Sequence, residues 1–229
     1  MRWSGLLLLF PLALSAQSLE ISSSALSEGA EQVVGKRAHM TGEIRLLAGT
    51  GLSGPAVTIW LVPDETASAT EAGLTAIRVL ESAAAGSVIV AALGGDRDHA
   101  VFGATFAALA KSRKLAGFVV DGAVRDLADL KQMTFPTLAR STAPGTAGGH
   151  YRIAGTNIPV ACGGIQVRPG DMVVADDDGV AIAPRERYAD ILTAAQKWQS
   201  EKRALIPLIE KHGSYLKAVQ DRDNRAKRQ

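Results

Sequence analysis

The sequence predicts a single-domain α/β protein with parallel strands in its core. Over residues 87–113, and again over 117–132, a short apolar run is followed by a loop and then by a helical pattern, which is typical of consecutive βα units. The chain has 229 residues, of which 47% are hydrophobic and 21% are charged, as expected for one ordinary globular domain. We find no internal repeat and no domain boundary in it.

The elements of the first half follow from hydrophobic periodicity. Strands are predicted where apolar residues are continuous or alternate, and helices where they recur every three or four positions. The predicted order is a helix beginning at 22–28, a strand at 54–62, a helix at 70–85, a strand at 87–93, a helix at 100–113, a strand at 117–120 and a short helix at 123–132.

From residue 136 onward, short β signals replace the βα pattern. Turn-forming residues separate these runs. The three consecutive aspartates at 176–178 fit a hairpin turn better than a calcium loop, which spaces its carboxylates at alternate positions. The predicted strands are 158–162, 165–167, 172–175 and 180–183.

A last helix is predicted before Pro207, which should interrupt it. On this helix Ile191, Trp198 and Leu205 recur every seven residues, and Glu201 lies beside that apolar stripe. A carboxylate in that position is either a solvated flank of the helix or a group presented across a subunit interface. The pattern alone leaves both readings open.

The first residues predict a secretory signal peptide over residues 1–16. A positive start at Arg2 is followed by the apolar run 6–14 and by small residues up to Ala16, and the run is too short to span a bilayer. The protein is therefore expected to be exported, with no membrane attachment after cleavage. Cys162, the single cysteine, is expected to be buried in that oxidising compartment.

Charge and cysteine content exclude several classes of protein. A formal net charge of +2 argues against a dedicated nucleic-acid binder. The positive charge is local, since residues 185–229 carry 11 Lys and Arg against 6 Asp and Glu, and residues 207–229 are predicted to form a basic tail. One cysteine allows neither an intramolecular disulfide nor a thiolate zinc site.

Two loops follow the predicted parallel strands, where ligands usually bind in such sheets. The first is bracketed by Gly94, Gly95 and Gly103 and holds the charged residues 96–99. Its glycine spacing matches neither a dinucleotide-binding nor a P-loop fingerprint. No nucleotide cofactor is predicted.

The second loop places Asp121, Arg125 and Asp126 just after a buried strand. A carboxylate there can hold Mg²⁺, which commonly takes one or two protein carboxylates and keeps several waters. An adjacent arginine can bind a substrate carboxylate through two hydrogen bonds. The alternative is that Arg125 and Asp126 form surface ion pairs, and spacing alone does not decide between the two.

The histidine positions do not indicate a metal site. His39, His99, His150 and His212 are scattered along the chain without ligand spacing. Each is expected to be a surface or supporting residue. No Gly-x-Ser-x-Gly elbow and no Cys/His arrangement indicates covalent catalysis.

With these residues in view, the chain resembles the RraA-like family, which includes the 4-hydroxy-4-methyl-2-oxoglutarate aldolases. The resemblance covers about residues 20–206 and rests on separated motifs in the same order. They are Gly54-Pro55-Ala56-Val57-Thr58, Gly94-Gly95-Asp96 with Gly103, Val120-Asp121-Gly122-Ala123-Val124-Arg125-Asp126, Pro159-Val160 with Gly163-Gly164, Val167-Arg168-Pro169-Gly170-Asp171 and Ala175-Asp176-Asp177-Asp178-Gly179-Val180.

The resemblance implies a compact sandwich of the swivelling β/β/α type over residues 17–206, assembled as a homotrimer or a dimer of trimers with sites between subunits. It implies a lyase, dependent on Mg²⁺ or Mn²⁺, that cleaves 4-hydroxy-4-methyl-2-oxoglutarate or a related hydroxy-oxo acid to pyruvate. Oxaloacetate decarboxylation would proceed through the same pyruvate enolate. The expected partner is thus a small oxo acid.

Site residues are also implied by the resemblance. Asp126 would be the metal ligand, and Arg125 would hold the pyruvyl carboxylate and enolate oxygen. The backbone N–H groups of Thr105 and Phe106, just after Gly103, would bind the substrate carboxylate, as a helix N-terminus favours an anion. Glu201 matches the carboxylate that a neighbouring subunit lends to the water shell of the metal.

One position departs from the family pattern. The characterised aldolases have an acidic residue after the glycine, which orients a water for proton transfer, and this chain has Ala104. A placed proton-transfer group typically contributes about 10²–10⁴ in rate. Two hypotheses therefore stand, a metal-dependent lyase and an exported oligomeric binding protein that keeps the pocket without the chemistry.

Overall fold

The structure, a computed structural model, describes residues 21–226 of the chain. The predicted signal peptide at residues 1–16 lies outside the described residues. Between residues 21 and 226, no helix combines the length and the apolar character needed to cross a membrane.

Helices and strands alternate through the first two thirds of the described chain. The helices are α1 (Ser23–Val34), α2 (Ala69–Ser82), α3 (Ala104–Ser112), α4 (Leu127–Gln132), α5 (Tyr188–His212) and α6 (Tyr215–Ala226). The strands are β1 (Arg45–Ala48), β2 (Leu52–Pro63), β3 (Val88–Ala92), β4 (Ala100–Phe102), β5 (Gly117–Val124), β6 (Thr137–Thr142), β7 (Tyr151–Thr156), β8 (Val160–Cys162), β9 (Ile165–Val167), β10 (Met172–Asp176) and β11 (Gly179–Ala183).

Nine of these strands form one mixed sheet. Its order is β1-β6-β5-β3-β2-β10-β11, with β4 added beside β5 and β7 beside β2. The central strands β2, β3, β5 and β6 are mutually parallel, and β10 and β11 join antiparallel. The two predicted βα units thus form the centre of the sheet, and the prediction of a single-domain α/β fold is confirmed.

Strands β3 and β5 are buried on both faces, and each face has its own cluster. In β3, Ile89 and Ala91 pack towards helices α2, α3 and α4. The alternate residues Val88 and Val90 pack towards β8 to β11, as the two-residue period of a strand requires. A third cluster joins the β10–β11 hairpin to α1 and α5.

The largest departure from the predicted elements lies around β4. Residues 100–102 form a strand rather than the start of a helix, because Ala100 and Phe102 pair in parallel with Ala123 and Val124 of β5. Strand β5 itself runs to Val124, beyond the predicted end at residue 120. Sheet pairing therefore outweighed the local helical pattern.

The predicted interruption at Pro207 is wrong, because α5 continues through it to His212. Proline removes one helical hydrogen bond, but Leu205 and Leu208 are buried against Ala218 of α6. This packing holds the helix together across the proline. Much of the predicted basic tail is therefore folded as the end of α5 and as α6.

Gly54 in β2 lies where a side chain would collide with the backbone. A Cβ at this position would lie 1.9 Å from the carbonyl oxygen of Gly86. Gly54→Ala is expected to lower the free energy of unfolding by at least about 2 kcal/mol, measured by urea unfolding. The control is Gly73→Ala in α2, where nothing lies within 4 Å of the added Cβ and a gain of about 0.5–1 kcal/mol is expected. Equal stability of the two variants would contradict the close approach.

Candidate active site

The candidate site is built where two parallel strands end side by side. Strand β5 ends at Val124, and the next two residues are Arg125 and Asp126. Asp126 has a left-handed backbone conformation, with φ 57° and ψ 41°, which aspartate tolerates better than most residues. This conformation turns the chain from β5 into α4 and leaves both charged residues at the carboxyl edge of the sheet.

The Asp126 carboxylate caps the neighbouring helix α3. The backbone N–H of Ala104, the first residue of that helix, donates to Asp126 Oδ2 at 2.9 Å. The backbone N–H of Arg125 in turn donates to the carbonyl oxygen of Phe102 at 3.0 Å. These two bonds fix the end of β5 against the start of α3.

Gly103 makes this close approach possible. A Cβ on Gly103 would lie 2.4 Å from Asp126 Oδ2 and 2.9 Å from Arg125 Cγ. Any other residue would therefore displace the carboxylate or the arginine. The resemblance implies that Gly103 belongs to the substrate-binding turn, and in the structure its lack of a side chain lets Asp126 reach the helix.

The helix start retains unused donors. Within the described residues, the backbone N–H groups of Thr105 and Phe106 have no hydrogen-bond acceptor. Such groups at a helix N-terminus favour an anion. The structure thus brings together Gly103, Thr105, Phe106, Arg125 and Asp126, the residues to which the resemblance assigns substrate and metal binding. Those roles stay predictions.

The site is open in a single chain. The side chains of Arg125 and Asp126 are 42% and 40% exposed, and Arg125 Nε lies 3.9 Å from Asp126 Oδ2. This contact is a loose ion pair, and exposed pairs of this kind contribute little to stability. Arg125 therefore retains guanidinium N–H donors for a ligand. In the alternative interpretation, a tight surface ion pair would have occupied those donors.

The donor set fits a divalent metal only in part. Asp126 Oδ2 bonds the Ala104 N–H, whereas Asp126 Oδ1 has no hydrogen bond or ion pair among the described residues. Within residues 21–226, no group of three His, Cys, Asp or Glu could hold a metal ion. One carboxylate is compatible with a hard ion such as Mg²⁺ that keeps most of its water.

Two charged residues that were predicted to contribute to the site, Asp121 and Glu201, form no hydrogen bond or ion pair with Arg125 or Asp126 within the described part of the chain. Asp121 is buried inside β5 rather than in the loop, where it accepts hydrogen bonds from Arg140 and from the backbone N–H of Gly163. Arg140 also binds Glu43. Glu201 is exposed on α5, and no hydrogen bond or ion pair among the described residues joins it to Arg125 or Asp126.

The apolar stripe beside Glu201 is covered largely within the chain. Ile191 packs in the cluster of α1 with the β10–β11 hairpin, and Trp198 packs at the edge of that cluster. Leu205 is buried against α6. The stripe therefore does not by itself require a second subunit, and the role of Glu201 stays a prediction.

Asp96, in the loop before β4, is fully engaged. It accepts hydrogen bonds from the backbone N–H groups of Asp98 and His99, from the His99 ring and from Tyr151 Oη. Burial raises the pKa of Asp96, but these hydrogen bonds outweigh it and lower the pKa to about 2. Burial and the bond to Asp96 raise the pKa of Tyr151 to about 12. Asp96 is thus an ionised anchor for its loop. Its hydrogen bonds commit it there, so it does not replace the acidic residue that the aldolases have at the position of Ala104.

Sequence reasoning missed Arg140 and Glu43, which lie far from the candidate loops in the sequence. No local motif marks them, and only the adjacency of β5 and β6 brings Arg140 to Asp121. Cys162 is buried, as predicted, and burial raises the pKa of its thiol.

Comparisons of the sequence and of the structure with known proteins both find RraA-like proteins. A family model described as RraA-like, aldolase/RraA, matches residues 23–182. A Halalkalibacterium halodurans protein named as a candidate 4-hydroxy-4-methyl-2-oxoglutarate aldolase is 36% identical over 151 residues, which is 66% of this chain and 68% of that protein. A Thermus thermophilus 4-hydroxy-4-methyl-2-oxoglutarate aldolase is 34% identical over 107 residues, which is 47% of this chain and 65% of that protein.

Solved structures match over a larger share of the chain. A Pseudomonas syringae protein superposes with a TM-score of 0.82 over 93% of this chain and 95% of its own, at 21% identity, which bears on the fold alone. A Streptomyces coelicolor structure, described as an unusual member of the RNase ES inhibitor RraA protein family, gives 0.72 at 28% identity over 85% of this chain and 98% of its own.

The contact between Gly103 and Asp126 can be tested by a double-mutant cycle. Gly103→Ala is expected to lower the free energy of unfolding by about 1–3 kcal/mol, because the methyl group forces the Asp126 carboxylate off the start of α3. In an Asp126→Ala background the same change should cost clearly less, because the clashing oxygen is gone. Additive losses in urea unfolding would contradict the proposed contact.

Proposed function

The chain belongs to the RraA-like family, and on that premise we propose that it is a metal-dependent lyase that releases pyruvate from a small oxo acid. The substrate class is 4-hydroxy-4-methyl-2-oxoglutarate or a related hydroxy-oxo acid, with oxaloacetate decarboxylated at the same site. The relatives named as 4-hydroxy-4-methyl-2-oxoglutarate aldolases support the reaction class. The predicted signal peptide supports an exported location.

The observation that carries the proposal is the meeting of Arg125, Asp126 and the start of α3 at one edge of the sheet. A substrate carboxylate would accept hydrogen bonds from the N–H groups of Thr105 and Phe106, where the helix dipole favours it. The Arg125 guanidinium would bind the adjacent carbonyl oxygen and stabilise the negative charge that develops there as the carbon–carbon bond breaks.

Asp126 would hold the divalent ion through its unengaged oxygen, while the other oxygen stays on the Ala104 N–H. A bound Mg²⁺ or Mn²⁺ would act as a Lewis acid on the substrate oxygens. In the aldol cleavage the substrate hydroxyl would lose its proton to water as the second carbonyl compound forms and leaves, and in the decarboxylation CO2 would leave. In both reactions the electron pair of the cleaved bond would pass into the pyruvate enolate, which a proton from solvent converts to pyruvate.

Ala104 supports a second candidate function, an oligomeric binding protein with weak or no turnover. Its methyl group offers no proton, and Asp96 is committed to its own loop. Proton transfer would depend on water alone, which removes a contribution of about 10²–10⁴ in rate. The same pocket would still bind an oxo acid.

We also propose a homotrimer, or a dimer of trimers, with the site between subunits. A charged ligand beside side chains exposed at 42% and 40% would remain in water, where electrostatic attraction is weak. A neighbouring subunit would cover the ligand, and exposed Glu201 on α5 is the residue proposed to reach across. A small oxo acid is then the expected partner, with no nucleic acid.

Pyruvate release is the direct test of the lyase proposal. Purified protein is expected to release pyruvate from oxaloacetate or a hydroxy-oxo diacid with Mg²⁺ or Mn²⁺, and not after chelation. Asp126→Asn should reduce turnover at least about 100-fold, since the amide keeps the fold but loses the charge. Asp129→Asn, an exposed aspartate on α4 without a side-chain partner among the described residues, is the matched control and should leave turnover unchanged.

Ala104→Asp separates the two candidate functions. A rise of turnover from a measurable wild-type rate supports the lyase. Binding of an oxo acid with metal, but no wild-type turnover with any substrate tested, would instead establish the binding protein.

Shared sites can be tested by mixing inactive chains. Asp126→Ala and Glu201→Ala are each expected to be inactive alone, and a 1:1 co-refolded mixture should recover up to about a quarter of wild-type turnover, because some interfaces then pair intact Asp126 with intact Glu201. Glu210→Ala, an exposed glutamate further along α5, should be active by itself. A fully active monomer in sedimentation would overturn the shared site.

A further inference from the structure

Two histidines that are distant in the sequence lie side by side in the structure. His99 precedes β4, His150 precedes β7, and their ring centroids are 4.8 Å apart, with the planes tilted by 44°. The rings come together because the segment before β7 bonds to β4, through the hydrogen bonds between Ala100 and residues 145 and 147. Their scattered positions gave no ligand spacing, so the pair is a product of the tertiary fold.

Each ring is oriented by its own carboxylate. His99 Nδ1 lies 3.1 Å from Asp96 Oδ2, and His150 Nδ1 lies 3.0 Å from Glu65 Oε2. A carboxylate at Nδ1 places the ring proton there and leaves the Nε2 lone pair for another partner. Neither Nε2 atom has a hydrogen-bond partner among the described residues.

The first of these carboxylates is held rigidly. Tyr151 Oη donates to Asp96 at 2.8 Å, and the His99 backbone N–H donates to the same side chain at 2.8 Å. The Tyr151 ring also lies 5.6 Å from the His99 ring. His99 is therefore fixed both by its carboxylate and by packing, which is how proteins prepare a metal-binding imidazole.

The ring separation fits two imidazoles on one metal ion. With zinc–nitrogen bonds of about 2.0–2.1 Å, each ring centre lies about 3.2 Å from the ion. Two such rings are then about 4.5–5.2 Å apart for bond angles between a right angle and the tetrahedral value. The observed 4.8 Å falls within this range.

We propose that His99 and His150 form a binding site for a divalent transition-metal ion, with Zn²⁺ as the representative ion. Imidazole nitrogens suit zinc, copper and nickel, whereas the lone carboxylate of Asp126 suits a hard ion such as Mg²⁺. The two histidines supply two ligands, and water fills the remaining positions, since no group of three suitable side chains occurs in residues 21–226.

The other two histidines provide an internal comparison. His39 pairs with Glu31 at 3.1 Å, and His212 pairs with Asp221 at 2.9 Å. Each has the orienting carboxylate, but among the described residues neither has a second imidazole beside it. The proposed site therefore depends on the pairing of rings and not on a histidine–carboxylate contact alone.

Zinc titration of tag-free protein tests the proposal, with affinity measured by competition against a chromophoric chelator. One Zn²⁺ is expected per chain. His99→Gln and His150→Gln should each weaken binding at least about 10-fold, and Glu65→Gln, which removes an orienting carboxylate that is 80% exposed, should weaken it less, by about 10-fold at most. His39→Gln is the matched control and should bind like wild type, as should Asp126→Asn, which separates this site from the proposed lyase site.

A spectroscopic readout reports on both rings directly. Zinc should shift the imidazole NMR signals of His99 and His150 together, at one stoichiometric equivalent, and leave His39 and His212 in place. Circular dichroism of each variant checks that the fold is retained. Wild-type affinity in folded His99→Gln or His150→Gln, equal loss in His39→Gln, or zinc shifts spread over all four histidines would overturn the proposal.

Discussion

The contact between the Asp126 carboxylate and the N–H of Ala104 is the constraint on which the site depends. It joins the end of β5 to the start of α3 at 2.9 Å, and it exists only because Gly103 has no side chain to keep the two apart. Through this contact one carboxylate oxygen of Asp126 is bonded to the helix, and the other remains available to a ligand. It also sets the free N–H groups of Thr105 and Phe106 beside Arg125, so one hydrogen bond arranges positive charge, helix dipole and carboxylate around a common point.

A second polar network supports the loops that surround this point. Buried Asp121 binds Arg140 and the backbone of Gly163, and Arg140 also binds Glu43, which pairs with Arg97. Within this network only the pair of Asp121 and Arg140 is largely buried, and removing either of the two leaves a desolvated charge behind. The network fixes the loop of residues 94–99 against β6 and against the turn before β9. Asp96 and its partners, which lie in or beside this loop, are thereby held next to β4.

The exposure of the site and the identity of residue 104 bear on how the site would work. Arg125 and Asp126 remain well exposed in one chain, whereas lyases that stabilise enolates exclude water from the charged centre. A covering subunit would supply that exclusion, and the Asp126 geometry is already preorganised for it. In the proposed function, Ala104 would leave the ligand-binding groups in place without a group for proton transfer, so oxo-acid binding and turnover would be separable.

The sequence by itself determined the βα core, the glycine turn at residue 103 and the charged pair Arg125–Asp126, because hydrophobic periodicity and local motifs carry that information within a few residues. It also determined family membership, since several motifs occur in one order. Only the tertiary structure decided that residues 100–102 form a strand, that Asp121 faces away from the site, and that α5 continues through Pro207. It alone also decided that β1, β6 and β7 belong to the sheet and that His99 meets His150. Each of these features depends on pairing or packing with residues that are distant in the sequence. The free energy of those contacts exceeds the local conformational preference, and a short stretch of sequence does not reveal them.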